Sequence, residues 1–481
     1  MSFVGFQIDR RLLWIVGLAV AIRLVLLIFL HDSYYTVGMA QGELARNLVD
    51  GRGFVINVPF SEAVGALQNK EQRLVDIEEG LRRFPPEDRP DDFRPFIAYM
   101  MPGQGILLAA TTFITGRYRY LDLQVLQAVL DGCAVLMIFA IAASLFSQRT
   151  GLFAALLYAL YVPSARLAIT ATRDAWMPLI FISICLFLVL GWKRGNVRFF
   201  YAAGILVAVG SYFRSEILLV PICAAVGFLA LDYPQKRMAR YALLGIIPLM
   251  LLILPWTIRN YTVFDRLIPT NSGLWLAMWQ SFGEYENDFG AVNNDVVTLQ
   301  QVRAQGHTEE FDTPEYDDLF RGKVLEVLRT QPGWFAWTVI RRVGRIPLQM
   351  HAWGIPETDE MSTARSIYPT GKVDVALYWQ YLASNPLRAA VHAFTRGINV
   401  MLYFAIPAFF FRYRRRFWKE GLLLLGLPAY NIAVHAIIGV HARYILPTNA
   451  LLLIVIAALL VGAKTEPEDA ALTPRSRHRS S

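Results

Sequence analysis

Long apolar runs separated by short polar turns dominate the chain. Leu12–Leu30 is the first, and a helix of that length crosses a hydrocarbon layer of about 30 Å. Further runs at 123–146, 152–168, 176–192, 199–213, 217–231, 241–256, 391–411, 417–440 and 444–461 bring the predicted count to ten spans. The runs at 199–213 and 217–231 read as a helical hairpin with Arg214-Ser215-Glu216 at its tip. Two regions interrupt the pattern, 31–122 and 258–390. In the first, Ala40, Leu44 and Leu48 fall at i, i+4, i+8, so 40–49 reads as a short helix that Gly51 and Gly53 terminate. From Gln68 to Asp92 the chain is strongly charged, with Leu74, Ile77 and Leu81 at helical spacing, which predicts an amphipathic surface helix. Residues 101–116 are apolar but short and read as an interfacial helix, because a crossing there would invert every later basic cluster. A semi-apolar basic helix near 334–350 is expected at the interface in the second region.

Composition agrees with this pattern. Of 481 residues, 55% are hydrophobic and 17% charged, and the mean hydropathy of +0.39 is too high for a soluble domain. A net charge of +8 in a soluble chain would suggest nucleic acid. Here the excess sits beside apolar runs: Arg10 and Arg11, the SQRTG turn, Lys193, Arg194 and Arg198, Lys236, Arg237 and Arg240, and RYRRR at 412–416. That is the positive-inside pattern, and no nucleic-acid partner is expected. With ten spans, every such cluster falls on one side and both termini lie inside. The first run is expected to be retained, since no small-residue cleavage site follows it. Cys133, Cys185 and Cys223 all lie in apolar runs and say nothing of compartment. The absence of an internal repeat weighs against transporters built from duplicated halves. The expected organisation is a membrane module over 1–257 that includes the first outer loop 31–122, an outer region over 258–390, C-terminal spans over 391–463, and a disordered cytoplasmic tail over 464–481.

Charged residues at span ends carry the candidate chemistry. Asp32, Glu43 and Asp50 surround the short helix of the first outer loop, and Asp174, beside Arg173, follows the third span on the same face. Transfer to a hydroxyl needs a carboxylate that takes a proton, or that holds a divalent metal beside a departing phosphate. The competing reading is that these are ordinary solvated acids, with Arg173 simply neutralising Asp174. Arg214 and Glu216 at the hairpin tip are costly near a bilayer; Arg214 either grips a phosphate bidentately or pairs locally with Glu216. Arg259 and Asn260 close the seventh span, and His441, Arg443 and Tyr444 open the tenth. Aromatic and basic residues there fit an interface belt, but arginines at outer ends run against the positive-inside bias and so suggest an anionic ligand. His351 and His392 share no ligand-like spacing and read as structural. Within the spans, Arg23 and Asp131 lie at similar depths of about 10 and 12 Å, which predicts an intramembrane ion pair.

Five segments then carry a family resemblance: ELARNLVDGRGF, MPGQGILLAA, GLFAALLYALYVPSARLAITATRDAW, PWTIRNYTVFDRLIPTNSG and HARYILP, in this order. The chain resembles the GT-C superfamily of membrane glycosyltransferases, and most closely the branch with protein O-mannosyltransferases and lipid A aminoarabinose transferases. The resemblance implies an all-α polytopic fold and a polyprenyl-phosphate-linked sugar as donor. It also implies transfer, on the outer face of the cytoplasmic membrane, to a glycan, lipid or protein acceptor, with a first-loop acid as base. Asp174 matches the second acidic loop, and Arg259 and Arg443 match the outer arginines. Positions 37–40, where relatives place an acid, are not acidic here, so Asp32 and Glu43 both stay open as base. Metal dependence varies across the superfamily and none is assumed. The rivals from other classes are a flippase of lipid-linked sugars, an oligosaccharide polymerase or ligase, and a membrane scaffold.

Overall fold

A computed structural model describes residues 9–30, 39–56, 93–96, 100–230, 235–310, 313–348 and 386–462, with short pieces at 2–3, 6–7 and 383–384. Asp32, the charged segment Gln68–Asp92, His351 and the tail beyond 462 lie outside the described residues. The side chain of His392 does too.

Within these bounds the protein is an all-α integral membrane protein. Seven helical segments are long and apolar enough to cross a bilayer: Arg10–Leu30 (α1), Tyr120–Leu145 (α4), Arg173–Arg194, which ends in Met177–Arg194 (α7), Lys236–Phe264, which ends in Ile246–Phe264 (α11), Ala393–Tyr413, within Pro386–Tyr413 (α16), Trp418–Ile438 (α17) and Ala442–Val461 (α18). An eighth span is broken. Gln148–Leu160 (α5) and Val162–Ala168 (α6) meet at 60° instead of forming the single run expected over 152–168. Pro163 in the first turn of α6 has no N–H to return to the end of α5, so the helical ladder does not run on through Tyr161. The remaining two of the ten predicted runs form shorter apolar helices, Val197–Ser211 (α8) and Ser215–Leu229, the latter a 3-10 turn leading into Val220–Ala230 (α9). Gln235–Leu244 (α10) connects this hairpin to α11.

α7 and α18 are the most enclosed spans, whereas α1, α11 and α16 line the rim and expose Trp14, Phe29, Leu251 and Phe404. Lipid is as apolar as a leucine core, so close backbone approach matters more here than hydrophobic exclusion. Gly204 of α8 shows this, since a Cβ there would lie 2.0 Å from the carbonyl oxygen of Gly245. The intramembrane pair forms as its depth suggested. Arg23 Nε donates to Asp131 Oδ2 at 2.6 Å, with both side chains buried. Tyr158, two residues before the end of α5, donates to Asp131 Oδ1 at 2.6 Å and accepts from Ser164 of α6 at 3.1 Å. The network therefore ties α1 and α4 to both sides of the helix break.

Contacts between helix ends fix which ends are neighbours. Lys193, closing α7, pairs with Glu420 in the first turn of α17 at 3.1 Å. Arg412 donates to Leu459 O near the end of α18, and Thr150 in the first turn of α5 donates to Gly462 O. Phe200, Phe228, Met238 and Trp418 share one apolar cluster beside them. The basic turns therefore gather at one end of the bundle.

The opposite end carries the irregular parts. Met39–Val49 (α2) packs on Gly103–Thr115 (α3) through Gln41, which donates to Met101 O and accepts from Gly105 N. A two-residue antiparallel ladder pairs Val55–Ile56 with Arg94–Pro95. Leu274–Phe282 (α12), Asp295–Ala304 (α13), Pro314–Thr330 (α14) and Pro332–Arg345 (α15) bury a core of their own around Trp279, Phe282, Tyr316 and Phe320. Asp317 accepts from Leu276 N at 2.8 Å and so satisfies an otherwise unpaired donor at the start of α12.

Candidate functional site

Four helix ends converge at the end opposite the basic turns, and each delivers a charged or aromatic side chain. A 3-10 turn, Arg173–Trp176, precedes α7 and carries Asp174. The Trp176 indole in that turn donates to Gln104 Oε1 at 2.9 Å, fixing the turn against α3. Arg214 is the extended residue between α8 and the next 3-10 turn, which holds Glu216. α17 ends at Gly439, whose φ of +148° is a conformation side-chain-bearing residues avoid. The chain re-enters as α18 with His441, Arg443 and Tyr444. Asn431 of α17 donates to Tyr444 O at 2.9 Å, and Pro447 keeps the first turn of α18 from closing its own hydrogen-bond ladder.

Asp174 is the centre of this arrangement. Its Oδ1 lies 2.5 Å from Arg214 Nη1, and its Oδ2 lies 3.1 Å from Arg443 Nε. Arg214 also pairs with Glu216, and its guanidinium stacks 3.8 Å from the centre of the Tyr444 ring. Burial opposes the charge on Arg214, but Glu216 and Asp174 outweigh it and hold the guanidinium pKa above its usual value. Arg443 donates to Tyr444 Oη at 3.3 Å and leaves half of its side chain, 52%, open to solvent. It is thus the cation from which a ligand is reached most easily. The His441 ring stands edge-on to Tyr444 at 5.0 Å. Although His441 is exposed, partial desolvation among its neighbours and the charges of Arg443, Arg214 and Arg345 push its pKa down to about 4.

The structure therefore brings together Asp174, Arg214, Glu216, His441, Arg443 and Tyr444. Arg173 flanks Asp174 and adds positive charge beside it. Other candidates are placed elsewhere. Arg259 donates to the carbonyls of Phe96 at 2.9 Å and Phe54 at 3.3 Å, fastening the first-loop ladder to α11. Asn260 is buried and donates to Ile268 O and Thr270 O. Asp50 accepts from the Tyr118 hydroxyl and pairs with Arg52. Glu43 is 5% exposed on α2.

One member of the cluster was not anticipated from the sequence. His435 of α17 stacks on Tyr444 at 4.9 Å and lies 3.7 Å from Glu216. A lone histidine within an apolar span is the signal that marks it. Among the described residues, no three His, Cys, Asp or Glu side chains come close enough to hold a metal ion. What the cluster offers is two guanidiniums, one solvent-facing, set by a shared carboxylate. Guanidiniums held in this way have the charge and the donors to grip an anion such as a phosphate.

Residues 100–258 match the family model described as dolichyl-phosphate-mannose-protein mannosyltransferase. No curated protein matches the chain significantly. Among solved structures, the Archaeoglobus fulgidus oligosaccharyltransferase in the apo form is similar at a TM-score of 0.50 and 15% identity, covering 95% of this chain and 52% of that one. The same enzyme tethered to an acceptor peptide containing the NVT sequon gives 0.52 and 14%, over 94% and 49% of the two chains. Its complex with an inhibitory peptide and a dolichol-phosphate gives 0.50 and 15%, over 94% and 50%. The chain thus spans about half the length of these structures. It shares the fold of these structures, and residues 100–258 match the model described as dolichyl-phosphate-mannose-protein mannosyltransferase.

Proposed function

We propose that this protein is a glycosyltransferase that moves a hexosyl or pentosyl group from a polyprenyl-phosphate sugar to an acceptor hydroxyl. The reaction takes place on the outer face of the cytoplasmic membrane. The observation that carries this reading is Asp174 bridging Arg214 and Arg443 at the end of the bundle opposite the basic turns. By the positive-inside rule that end faces outward. The family match and the dolichol-phosphate complex of the similar oligosaccharyltransferase point the same way.

In the reaction, the acceptor oxygen attacks the anomeric carbon and the bond from that carbon to the phosphate oxygen breaks. Negative charge builds on the departing polyprenyl phosphate, where Arg443 and Arg214 stabilise it. The acceptor proton passes to a carboxylate. Both oxygens of Asp174 already face guanidiniums, so its role is to set the arginines. The base is then a first-loop acid. Glu43 is buried on α2, which favours Asp32. A divalent cation beside the phosphate is a further part of the proposal; Glu216 already pairs with Arg214, and the chelator arm of the experiment below tests the cation.

Purified protein in lipid, given a panel of radiolabelled polyprenyl-phosphate sugars with and without chelator, tests this. Transfer or donor hydrolysis is expected, falling by about 100-fold or more in Asp32→Asn and in Asp174→Asn. Unaltered turnover in Asp32→Asn, Glu43→Gln and Asp174→Asn would remove the acid assignment. Sugar crossing the membrane with its phosphate bond intact would favour a flippase.

A further inference from the structure

The second polar region contains a helix with one unpartnered apolar face. Along α15 the positions Trp334, Thr338 and Arg342, followed by Ile346, recur every four residues and form its inner face. Trp334 packs with Phe282 and Phe289, while Thr338, Arg342 and Ile346 are buried. The other face presents Trp337, Ile340 and Val343, which are 57%, 59% and 45% exposed, and Leu348 just beyond the helix is 54% exposed. Four large apolar side chains in a row are more than a water-facing helix normally carries.

Arg342 fixes which way this face points. It is fully buried and donates to Ala436 O at 3.1 Å, Ile437 O at 2.9 Å and Ser281 O at 2.5 Å, with Glu284 at 3.4 Å. It thus caps the carbonyl end of α17 from a different part of the chain, which prevents α15 from rolling its stripe inward. Depth follows from Ile346, just after α15, which shares an apolar cluster with Val440 beyond the end of α17 and Ile445 in the first turn of α18, with Tyr403 of α16 and Ile432 of α17 packed against that cluster. Ile432 is six residues from the end of α17, about 9 Å below it at 1.5 Å per residue. The end of α15 therefore sits below the tips of the spans. The turn that follows the stripe, Ile346–Leu348, packs on α16, whose exposed Phe394, Met401 and Phe404 belong to the lipid-facing rim.

We infer that α15 lies in the bilayer leaflet at the site's end of the bundle, with Trp337, Ile340 and Val343 in contact with phospholipid acyl chains. Arg345, 45% exposed, lies on the other side of the helix from the stripe and reaches Glu284 at 3.8 Å. Because Arg342 on the opposite face grips the turn that leads to His441 and Arg443, the lipid contact also steadies the phosphate-binding arginine.

Nitroxide labels report this without reading turnover, so the inference and the proposed transferase activity fail separately. In full-length protein carrying Cys133→Ser, Cys185→Ser and Cys223→Ser, labels are placed by Trp337→Cys, Ile340→Cys and Val343→Cys. Phe404→Cys serves as a lipid-facing control and Glu326→Cys as an exposed control on α14. In nanodiscs of phosphatidylcholine and phosphatidylglycerol, the stripe labels are expected to collide with oxygen more than with a water-soluble nickel chelate, as at position 404. Collision like that at position 326 would overturn the inference. Low collision with both reagents, the mark of a protein partner such as a second copy, would overturn it too.

Discussion

Arg23 lies with no solvent exposure in a helix whose outer surface faces lipid, so its charge is tolerated only because Asp131 meets it at 2.6 Å. The hydroxyl of Tyr158 takes the second carboxylate oxygen, leaving Asp131 fully engaged. Breaking such a pair strands the remaining charge at a cost of about 3–5 kcal/mol in soluble proteins. Asp131→Asn is therefore expected to lower the thermal midpoint in detergent clearly, with Tyr158→Phe intermediate. An unchanged midpoint for Asp131→Asn would show that the pair does not hold α1 in place. These two residues were legible in the sequence because each is a lone charge in an apolar run. Asp174, Arg214 and Arg443 were legible for the same reason, as charges at apolar ends. His435 carried the same signal more weakly, because a neutral imidazole costs little. Arg259 shows the limit of that logic. It donates to Phe54 and Phe96, and no local pattern reveals that the first loop returns to that spot.

At the level of elements, periodicity located the helices well and their continuity less well. The third run is apolar up to Ser164, so its break at Tyr161 follows only from the Val-Pro step within it, and the 60° bend is set by packing. Asn449 donates to the Tyr161 hydroxyl at 3.0 Å, and Tyr403 donates to Asn449, so polar side chains from α16 and α18 support the break. Asn449 and Tyr161 are far apart in sequence, which is why the bend was invisible there. α15 is a related case. A basic, semi-apolar helix reads as interfacial, and the pattern gave no hint that Arg342 would turn inward to cap α17 while Arg345 stays outside.

For the whole molecule, the account depends on two chemically different ends. Lys193 with Glu420, Arg412 with Leu459 O and Thr150 with Gly462 O hold one end together; Asp174, Arg214 and Arg443 hold the other. Cysteines placed near the two ends, at exposed Arg415 and half-buried Ala442 by Arg415→Cys and Ala442→Cys, are expected to react with an impermeant maleimide from opposite sides of a sealed membrane. Reaction of both from one side would contradict the arrangement.

The most direct measurement is polyprenyl phosphate binding to the purified protein in nanodiscs, comparing the unmodified chain with Arg443→Ala. A guanidinium that holds a phosphate by charge-assisted hydrogen bonds contributes about 1.5–3 kcal/mol, so the dissociation constant should rise by roughly 10-fold or more. Equal affinity in the two proteins would mean that the lipid phosphate does not sit on the Asp174–Arg443 ledge.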